Sequence, residues 1–140
     1  MSSLGLDFGA KRIGVARSDE LNFMAHAVGF IKHENENQIL QELRKIIDEF
    51  RIEKVVVGLP KTMKGETGTQ AEKVLSFVEF LRQRLSCPIV TWDERLTTAE
   101  AERALVAQDM SRAKRKEKRD AIAAEIMLQS YLDFSKRKEC

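Results

Sequence analysis

An α/β fold, with helices flanking a mixed five-stranded sheet, is the architecture that this 140-residue sequence predicts. Three strand-like segments joined by short links open the chain, and such links favour an antiparallel meander. Helical and strand-like apolar patterns then alternate, which is typical of units that add parallel strands to a sheet. Apolar residues make up 43% and charged residues 33% of the sequence, so the composition fits one globular domain, residues 1–140, and argues against disorder.

The three opening strands are predicted at residues 4–8, 12–16 and 25–31, with a turn at residues 9–11 between the first two. Apolar residues then recur at the spacing of one helical face, namely Ile39, Leu40, Leu43, Ile46, Ile47 and Phe50. The run KVVVGL at residues 54–59 is typical of a strand that is buried on both faces. These segments predict the meander, the first flanking helix and the fourth strand.

The second half of the chain continues the alternation after a loop at residues 60–69. A second helical stripe follows, formed by Val74, Leu75, Val78, Leu81 and Leu85. Residues 88–92 predict the fifth strand, and Thr97 with Glu100 forms a capping-box pattern that predicts the start of a third helix. Residues 120–134 predict a final helix.

Charge and cysteine content narrow the class of protein further. The net charge is only +2, but the segment from Arg112 to Arg119 carries six basic residues against the single acid Glu117. Such a run attracts polyanions, or it is simply a solvated basic helix or loop. The two cysteines, Cys87 and Cys140, form no disulfide framework. With no signal-peptide pattern and no apolar run of about 20 residues, we expect a soluble, cytoplasmic protein.

Three acids lie at the edges of predicted elements and are the candidate catalytic and metal-binding residues. Asp7 lies within the first strand, where an unpaired carboxylate is costly, so it is either paired with a base such as Arg12 or binds a metal. Glu94 and its neighbour Asp93 end the fifth strand, where α/β sheets bind ligands, or are solvated acids of a turn. Asp120 starts the last helix on its apolar face, although the helix dipole alone also favours an acid there. Gathered carboxylates commonly hold divalent metal ions against phosphates.

Basic residues surround these acids in the sequence. The loop with Lys61, Lys64, Gly65 and Gly68 is either a phosphate-gripping loop or a plain surface loop, and it lacks the GxxxxGK[ST] pattern of a P-loop. The predicted nucleic-acid-binding residues are Lys11, Arg12, Lys61, Lys64, Arg95, Arg112, Lys114, Arg115 and Lys116. We interpret Trp92 and the phenylalanines as core residues and not as platforms for nucleobases.

Four motifs together resemble the YqgF family, also called RuvX, whose members are bacterial proteins with an RNase H-like fold related to the RuvC resolvases. The matching stretches are LGLDFGAKRIGVARSD at 4–19, VVVGLPKTMKGETGTQA at 55–71, DERLTTAEA at 93–101 and DAIAAEIMLQSYLD at 120–133. The resemblance implies a five-stranded mixed sheet and a cytoplasmic nuclease that trims the precursor of small-subunit ribosomal RNA. Resolution of branched DNA, the Holliday junction, is the alternative activity that it implies.

The resemblance also assigns roles to the three acids. Asp7 corresponds to the metal-binding aspartate of the first strand in RNase H-like nucleases, and Asp120 corresponds to the acid of their last helix. RuvC-type enzymes place the middle acid at the end of the fourth strand, where this chain reads GLPK, so Glu94 or Asp93 is its substitute. We therefore expect one or two Mg²⁺ or Mn²⁺ ions and hydrolysis of phosphodiester bonds. A non-catalytic assembly factor that binds ribosomal RNA is the rival hypothesis.

Overall fold

The computed structural model describes residues 2–9, 11–60, 68–94 and 119–139, and in the last helix the side chains of residues 121–136. The strands are β1 (Ser2–Phe8), β2 (Arg12–Ser18), β3 (Ala25–Lys32), β4 (Ile52–Leu59) and β5 (Ile89–Asp93). The helices are α1 (Glu36–Phe50), α2 (Thr69–Arg82) and α3 (Arg119–Glu139). The predicted α/β architecture is confirmed, and the helix predicted to begin at Thr97 lies outside the described residues.

All five strands belong to one sheet with the order β3-β2-β1-β4-β5. The three strands of the meander pair antiparallel, whereas β1 pairs parallel to β4 and β4 parallel to β5. The carboxyl ends of β1, β4 and β5 therefore meet at one edge of the sheet. In α/β sheets this is the edge at which ligands bind.

One face of the sheet packs against α1 and α2. Leu4, Leu6 and Phe8 of β1 point to this face and join a single buried cluster with residues of both helices. The first helix begins where the Asn35 side chain accepts hydrogen bonds from the backbone amides of Asn37 and Gln38, at 2.9 and 3.2 Å. Alternation along β1 consequently directs Ser3, Gly5 and Asp7 to the opposite face.

The opposite face packs against α3. A Cβ atom added at Gly5 would lie 2.9 Å from Cβ of Leu128, so the glycine allows the helix to approach the sheet closely. The Tyr131 hydroxyl lies 3.1 Å from Nζ of Lys54, near the amino end of β4, so α3 runs opposite to β1 and β4. The first residue of α3 lies about 13 Å before Leu128 along the helix axis. This distance places the start of α3 near the carboxyl end of β1.

The prediction that the phenylalanines are core residues is wrong for three of them. Trp92 is buried, as are Phe8 and Phe77, but Phe23, Phe30 and Phe134 are 53%, 45% and 41% exposed. Phe30 is exposed because β3 is the outermost strand of the sheet. Phe23 is exposed because it lies in the turn before that strand. Phe134 lies near the end of α3, where it makes a ring contact with Trp92. None of the helices in the described part of the chain is long and apolar enough to cross a membrane.

Candidate active site

Asp7 and Glu94 meet at the carboxyl edge of the sheet. Asp7 is the last but one residue of β1 and lies on the α3 face, since Leu6 and Phe8 on either side belong to the α1–α2 core. Glu94 directly follows β5. A side-chain hydrogen bond joins the two carboxyl groups, although β4 lies between their strands. The fold therefore brings together two acids that are 87 positions apart in the sequence.

Gly58 of β4 provides the space in which the Glu94 side chain lies. The register pairs Gly58 with Trp92, two residues before Glu94, and pairs Leu6 with Val57, so Gly58 lies between the two acids. A Cβ atom added at Gly58 would lie 2.6 Å from Oε1 of Glu94 and 3.2 Å from its Cδ and Cγ atoms. A side chain on this residue would thus occupy the position of the carboxylate.

The structure thereby explains the GLPK segment, which departs from the pattern of RuvC-type enzymes. The resemblance implies a middle acid on the fourth strand, whereas here the fourth strand supplies a glycine and Glu94, which follows the neighbouring strand, extends over it. Sequence reasoning missed Gly58 as a site residue. A glycine within an otherwise apolar strand is a signal for the close approach of another group, and it could have identified this position.

The pKa of the Glu94 carboxyl is raised from 4.5 to about 8, and burial is the largest cause. The hydrogen bond with Asp7 and the negative charges of Asp7 and Asp93 contribute the rest of this increase in the pKa. Glu94 is therefore protonated at neutral pH when no cation is nearby, and its carboxyl group donates the hydrogen bond to Asp7. Two acids that share one proton are typical of sites where carboxylates are held close together for function.

Stability without divalent metal is expected to fall as the pH rises from about 4.5 to about 8. Over this range the folded protein keeps the Glu94 proton while the unfolded chain has lost it, so the free energy of unfolding decreases with pH. Urea denaturation in EDTA checks this prediction: Glu94→Gln should lose this part of the pH dependence and should be the more stable protein at the alkaline end. Glu53→Gln, at an exposed glutamate of β4, is the control and should behave like wild type. Identical pH dependence for wild type and Glu94→Gln would contradict the raised pKa.

The other two candidate acids are Asp93, at the end of β5, and Asp120, at the start of α3. Asp93 pairs with Leu59 in the β4–β5 register, and alternation directs it away from the face that holds Glu94. Asp120 belongs to the first turn of α3, near the carboxyl end of β1, but its side chain is outside the described part of the structure. Among the described residues no group of three His, Cys, Asp or Glu side chains is arranged to hold a metal ion.

Only two of the predicted nucleic-acid-binding residues fall within the described structure. Lys11 and Arg12 are exposed at the hairpin between β1 and β2. The Arg12 guanidinium lies over the ring of Phe30, 4.7 Å from its centroid. The other predicted residues are outside the described part of the chain: Lys61, Lys64, Arg95, Arg112, Lys114, Arg115 and Lys116.

The sheet order, the two acids at its carboxyl edge and the long helix across that face define a protein of the RNase H-like class. The family model for RuvX, described as a Holliday junction resolvase, matches residues 1–134. The chain belongs to the RuvX family.

Relatives of known sequence agree with this assignment over nearly the full chain. A protein of Thermoanaerobacter pseudethanolicus is 47% identical over 139 residues, which are 99% of this chain and 100% of the relative. A protein of Desulforudis audaxviator is 45% identical over 136 residues, which are 97% of this chain and 96% of the relative. Both relatives carry the name "Putative pre-16S rRNA nuclease".

Solved structures share the fold at low sequence identity. RuvC of Thermus thermophilus, in complex with a Holliday junction substrate, superposes with a TM-score of 0.60 at 13% identity, covering 98% of this chain and 96% of RuvC. The Holliday junction resolvase of fowlpox virus superposes with a TM-score of 0.57 at 11% identity, covering 96% of this chain and 99% of the resolvase. These superpositions establish the fold.

Proposed function

We propose that the protein is a nuclease that hydrolyses phosphodiester bonds in the precursor of 16S ribosomal RNA with the aid of a divalent metal ion. The observation that carries this proposal is the contact between Asp7 and Glu94 at the carboxyl edge of the sheet. Two relatives at 45% and 47% identity bear the name of a pre-16S rRNA nuclease, which supports the choice of substrate. We expect the protein to act in the cytoplasm, where that precursor is made.

The residues of the site fit a hard divalent cation. Asp7 and Glu94 offer only oxygen donors, which suit Mg²⁺ and Mn²⁺ better than zinc. The two carboxyl groups repel each other when both are ionised, and a shared proton relieves this repulsion in the absence of metal. A doubly charged ion would relieve it more completely. We infer that Asp7 and Glu94 hold the cation and that Asp120, at the start of α3, is the third ligand.

The metal ion and the protein side chains contribute different parts of the proposed phosphodiester hydrolysis. A divalent cation supplies positive charge that activates water and stabilises the charge developing on the phosphate. The chain itself orients that charge by fixing the carboxylates on a rigid sheet. Lys11 and Arg12 at the adjacent hairpin neutralise backbone phosphates and position the strand without reading its sequence. We propose the same role for the other predicted basic residues, which are Lys61, Lys64, Arg95, Arg112, Lys114, Arg115 and Lys116.

Resolution of Holliday junctions is the second candidate function. The description of the matching family model names this activity, and one solved structure of the same fold contains a Holliday junction substrate. A third possibility is a factor that binds ribosomal RNA without cutting it. All three candidates predict binding to phosphate-rich polymers with strong salt dependence, so binding alone does not separate them.

Cleavage assays separate the candidates. The protein is incubated in parallel with precursor 16S ribosomal RNA, mature 16S RNA and a four-way DNA junction, each with Mn²⁺, Mg²⁺ or EDTA. We expect cleavage of the precursor RNA that requires either metal and stops in EDTA. Faster cutting of the DNA junction would favour the resolvase, whereas salt-sensitive binding without any cleavage would overturn the nuclease proposal.

A further inference from the structure

An exposed aromatic ring lies on the same face of the sheet as the two acids. Asp7 pairs with Gly14 of β2, and Gly14 pairs with Phe30 of β3. Directly paired residues project from the same face of a sheet, so Phe30 and Asp7 both face the α3 side. Phe30 is 45% exposed although it is a large apolar residue. Two strand spacings, or roughly 10 Å, separate the two backbone positions.

Two cations lie beside this ring, both toward the carboxyl end of β3. Arg12 and Lys32 are direct partners in the β2–β3 register, two pairs nearer to the carboxyl end of β3 than Gly14 and Phe30 and therefore on the same face. Both are exposed, and the Arg12 guanidinium lies 4.7 Å above the centre of the Phe30 ring. An aromatic ring beside cations is the arrangement with which proteins bind single-stranded nucleic acid: the ring stacks a base and the cations contact the neighbouring phosphates.

The edge strand itself is poorly suited to pairing with another chain. The register between β2 and β3 shifts at Val15 and Ala16, whose partners are Gly29 and Ala27, so Val28 is the extra residue of a bulge. A bulge and charged side chains on an edge strand both disfavour the addition of a further strand. Extension of the sheet by a second copy therefore does not account for the exposure of Phe30.

We propose that Phe30 stacks an unpaired nucleobase of the strand whose phosphate lies at Asp7, and that Arg12 and Lys32 contact the neighbouring phosphates. This inference rests on the proposed nuclease function and adds a preference for single-stranded substrate to it. A cation–π contact at an exposed site is weak compared with base stacking, so an incoming base displaces the guanidinium from the ring. The displaced Arg12 side chain remains within reach of the adjacent phosphate.

The proposal implies discrimination between unpaired and paired strands. A base in a duplex is stacked between its neighbours and cannot lie flat on a protein ring, whereas an unpaired base can. Regions of a precursor RNA that lack pairing would therefore be held at Asp7 more tightly than helical regions. The discrimination arises from Phe30 and not from the cations, because both kinds of strand carry the same phosphates.

The first test measures binding in EDTA, where no cleavage occurs, so that it is independent of the proposed catalysis. Fluorescence anisotropy compares a single-stranded oligoribonucleotide with the same sequence in a duplex. Phe30→Ala should weaken binding of the single strand by about 10-fold and leave the duplex unaffected. Phe30→Tyr, which keeps the ring, should bind like wild type.

Phe23 provides a matched control at the other end of β3. It is 53% exposed and lies beneath a cation, Nζ of Lys136, 3.3 Å from its ring centre, but it is far from Asp7. Phe23→Ala should bind the single strand like wild type. Circular dichroism confirms that each variant is folded. Equal affinities of Phe30→Ala and wild type for the single strand would overturn the proposal, as would an equal loss in Phe23→Ala.

A second measurement detects the contact between a nucleobase and the ring at residue 30 directly. Phe30→Trp adds an exposed indole to a chain whose one natural tryptophan, Trp92, is buried at the opposite edge of the sheet. A base stacked on the new indole should quench its fluorescence when the single strand is added, and the duplex should not. Tight binding of the single strand without quenching would place the base elsewhere and overturn the assignment. If the single strand quenches the indole but the protein cleaves no RNA, base stacking at residue 30 is supported and the nuclease proposal fails.

Discussion

Replacing Asp7 with asparagine is expected to abolish most cleavage of precursor RNA while leaving the protein folded. The charge that a divalent cation supplies to the reacting phosphate is worth several kcal/mol, and each 1.36 kcal/mol corresponds to a factor of ten in rate. Loss of one ionised ligand should therefore slow single-turnover cleavage by about 10²- to 10³-fold. The measurement compares rates in saturating Mn²⁺ for wild type and Asp7→Asn at equal protein concentration.

The neighbouring acid Asp93 supplies the control for Asp7→Asn. Asp93 ends β5 on the face opposite to Glu94, so Asp93→Asn should retain most of the activity. Asp7→Asn should also still bind single-stranded RNA in EDTA, because the proposed contacts to Phe30 and Arg12 are intact. If Asp7→Asn cleaved the RNA at the wild-type rate, this result would contradict a catalytic role for Asp7.

Replacing Gly58 with alanine is the second large effect that we expect. The new Cβ atom would lie 2.6 Å from Oε1 of Glu94, so the carboxylate has to move off β4. The atom that must move is the end of a flexible side chain, and the cost in stability is therefore small. Displacement of a catalytic group by about 1 Å can slow a reaction by about 100-fold. Single-turnover cleavage in Mn²⁺ should thus fall far more than the urea midpoint does.

Gly5→Ala separates this effect from general damage to the sheet. Its new Cβ atom would meet Cβ of Leu128 at 2.9 Å, an atom that is fixed to the backbone of α3. Such overpacking costs about 1–3 kcal/mol of stability. Gly5→Ala should therefore lose stability while the folded fraction remains active, the reverse of Gly58→Ala. Full activity in Gly58→Ala would show that the position of Glu94 over Gly58 is unimportant for catalysis.

Most of the fold follows from the spacing of apolar residues. The alternation of Leu4, Leu6 and Phe8 with Gly5 and Asp7 predicts one apolar face of β1 and one face with space, and the structure has α1 and α2 on the first and α3 on the second. The apolar run of β4 predicts burial on both faces, and this strand lies between β1 and β5. The strand ends differ by one or two residues, because pairing and not side-chain pattern decides where a strand ends.

The site was predictable only where it depends on the direction of the strands. Parallel strands end at one edge, so the ends of β1 and β5 bring Asp7 and Glu94 to the same region, although their roles stay predictions. The sequence can mark Gly58 as a position of close approach, but it cannot identify Glu94 as the approaching group, because that side chain comes from another strand. Phe30 was misinterpreted for a related reason. Its exposure depends on β3 being the outermost strand, which is a property of the sheet order and not of the local pattern.

The central claim is that Asp7 and Glu94 together hold a divalent cation. Electron paramagnetic resonance of Mn²⁺ tests this claim most directly, because it measures the Mn²⁺ affinity of each protein. The proteins compared are wild type, Asp7→Asn, Glu94→Gln and the control Asp93→Asn, at a pH above the Glu94 pKa of about 8. We predict that Asp7→Asn and Glu94→Gln each bind Mn²⁺ at least about 10-fold more weakly than wild type and Asp93→Asn, because an ionised ligand is lost. Equal Mn²⁺ affinity in all four proteins would contradict the claim.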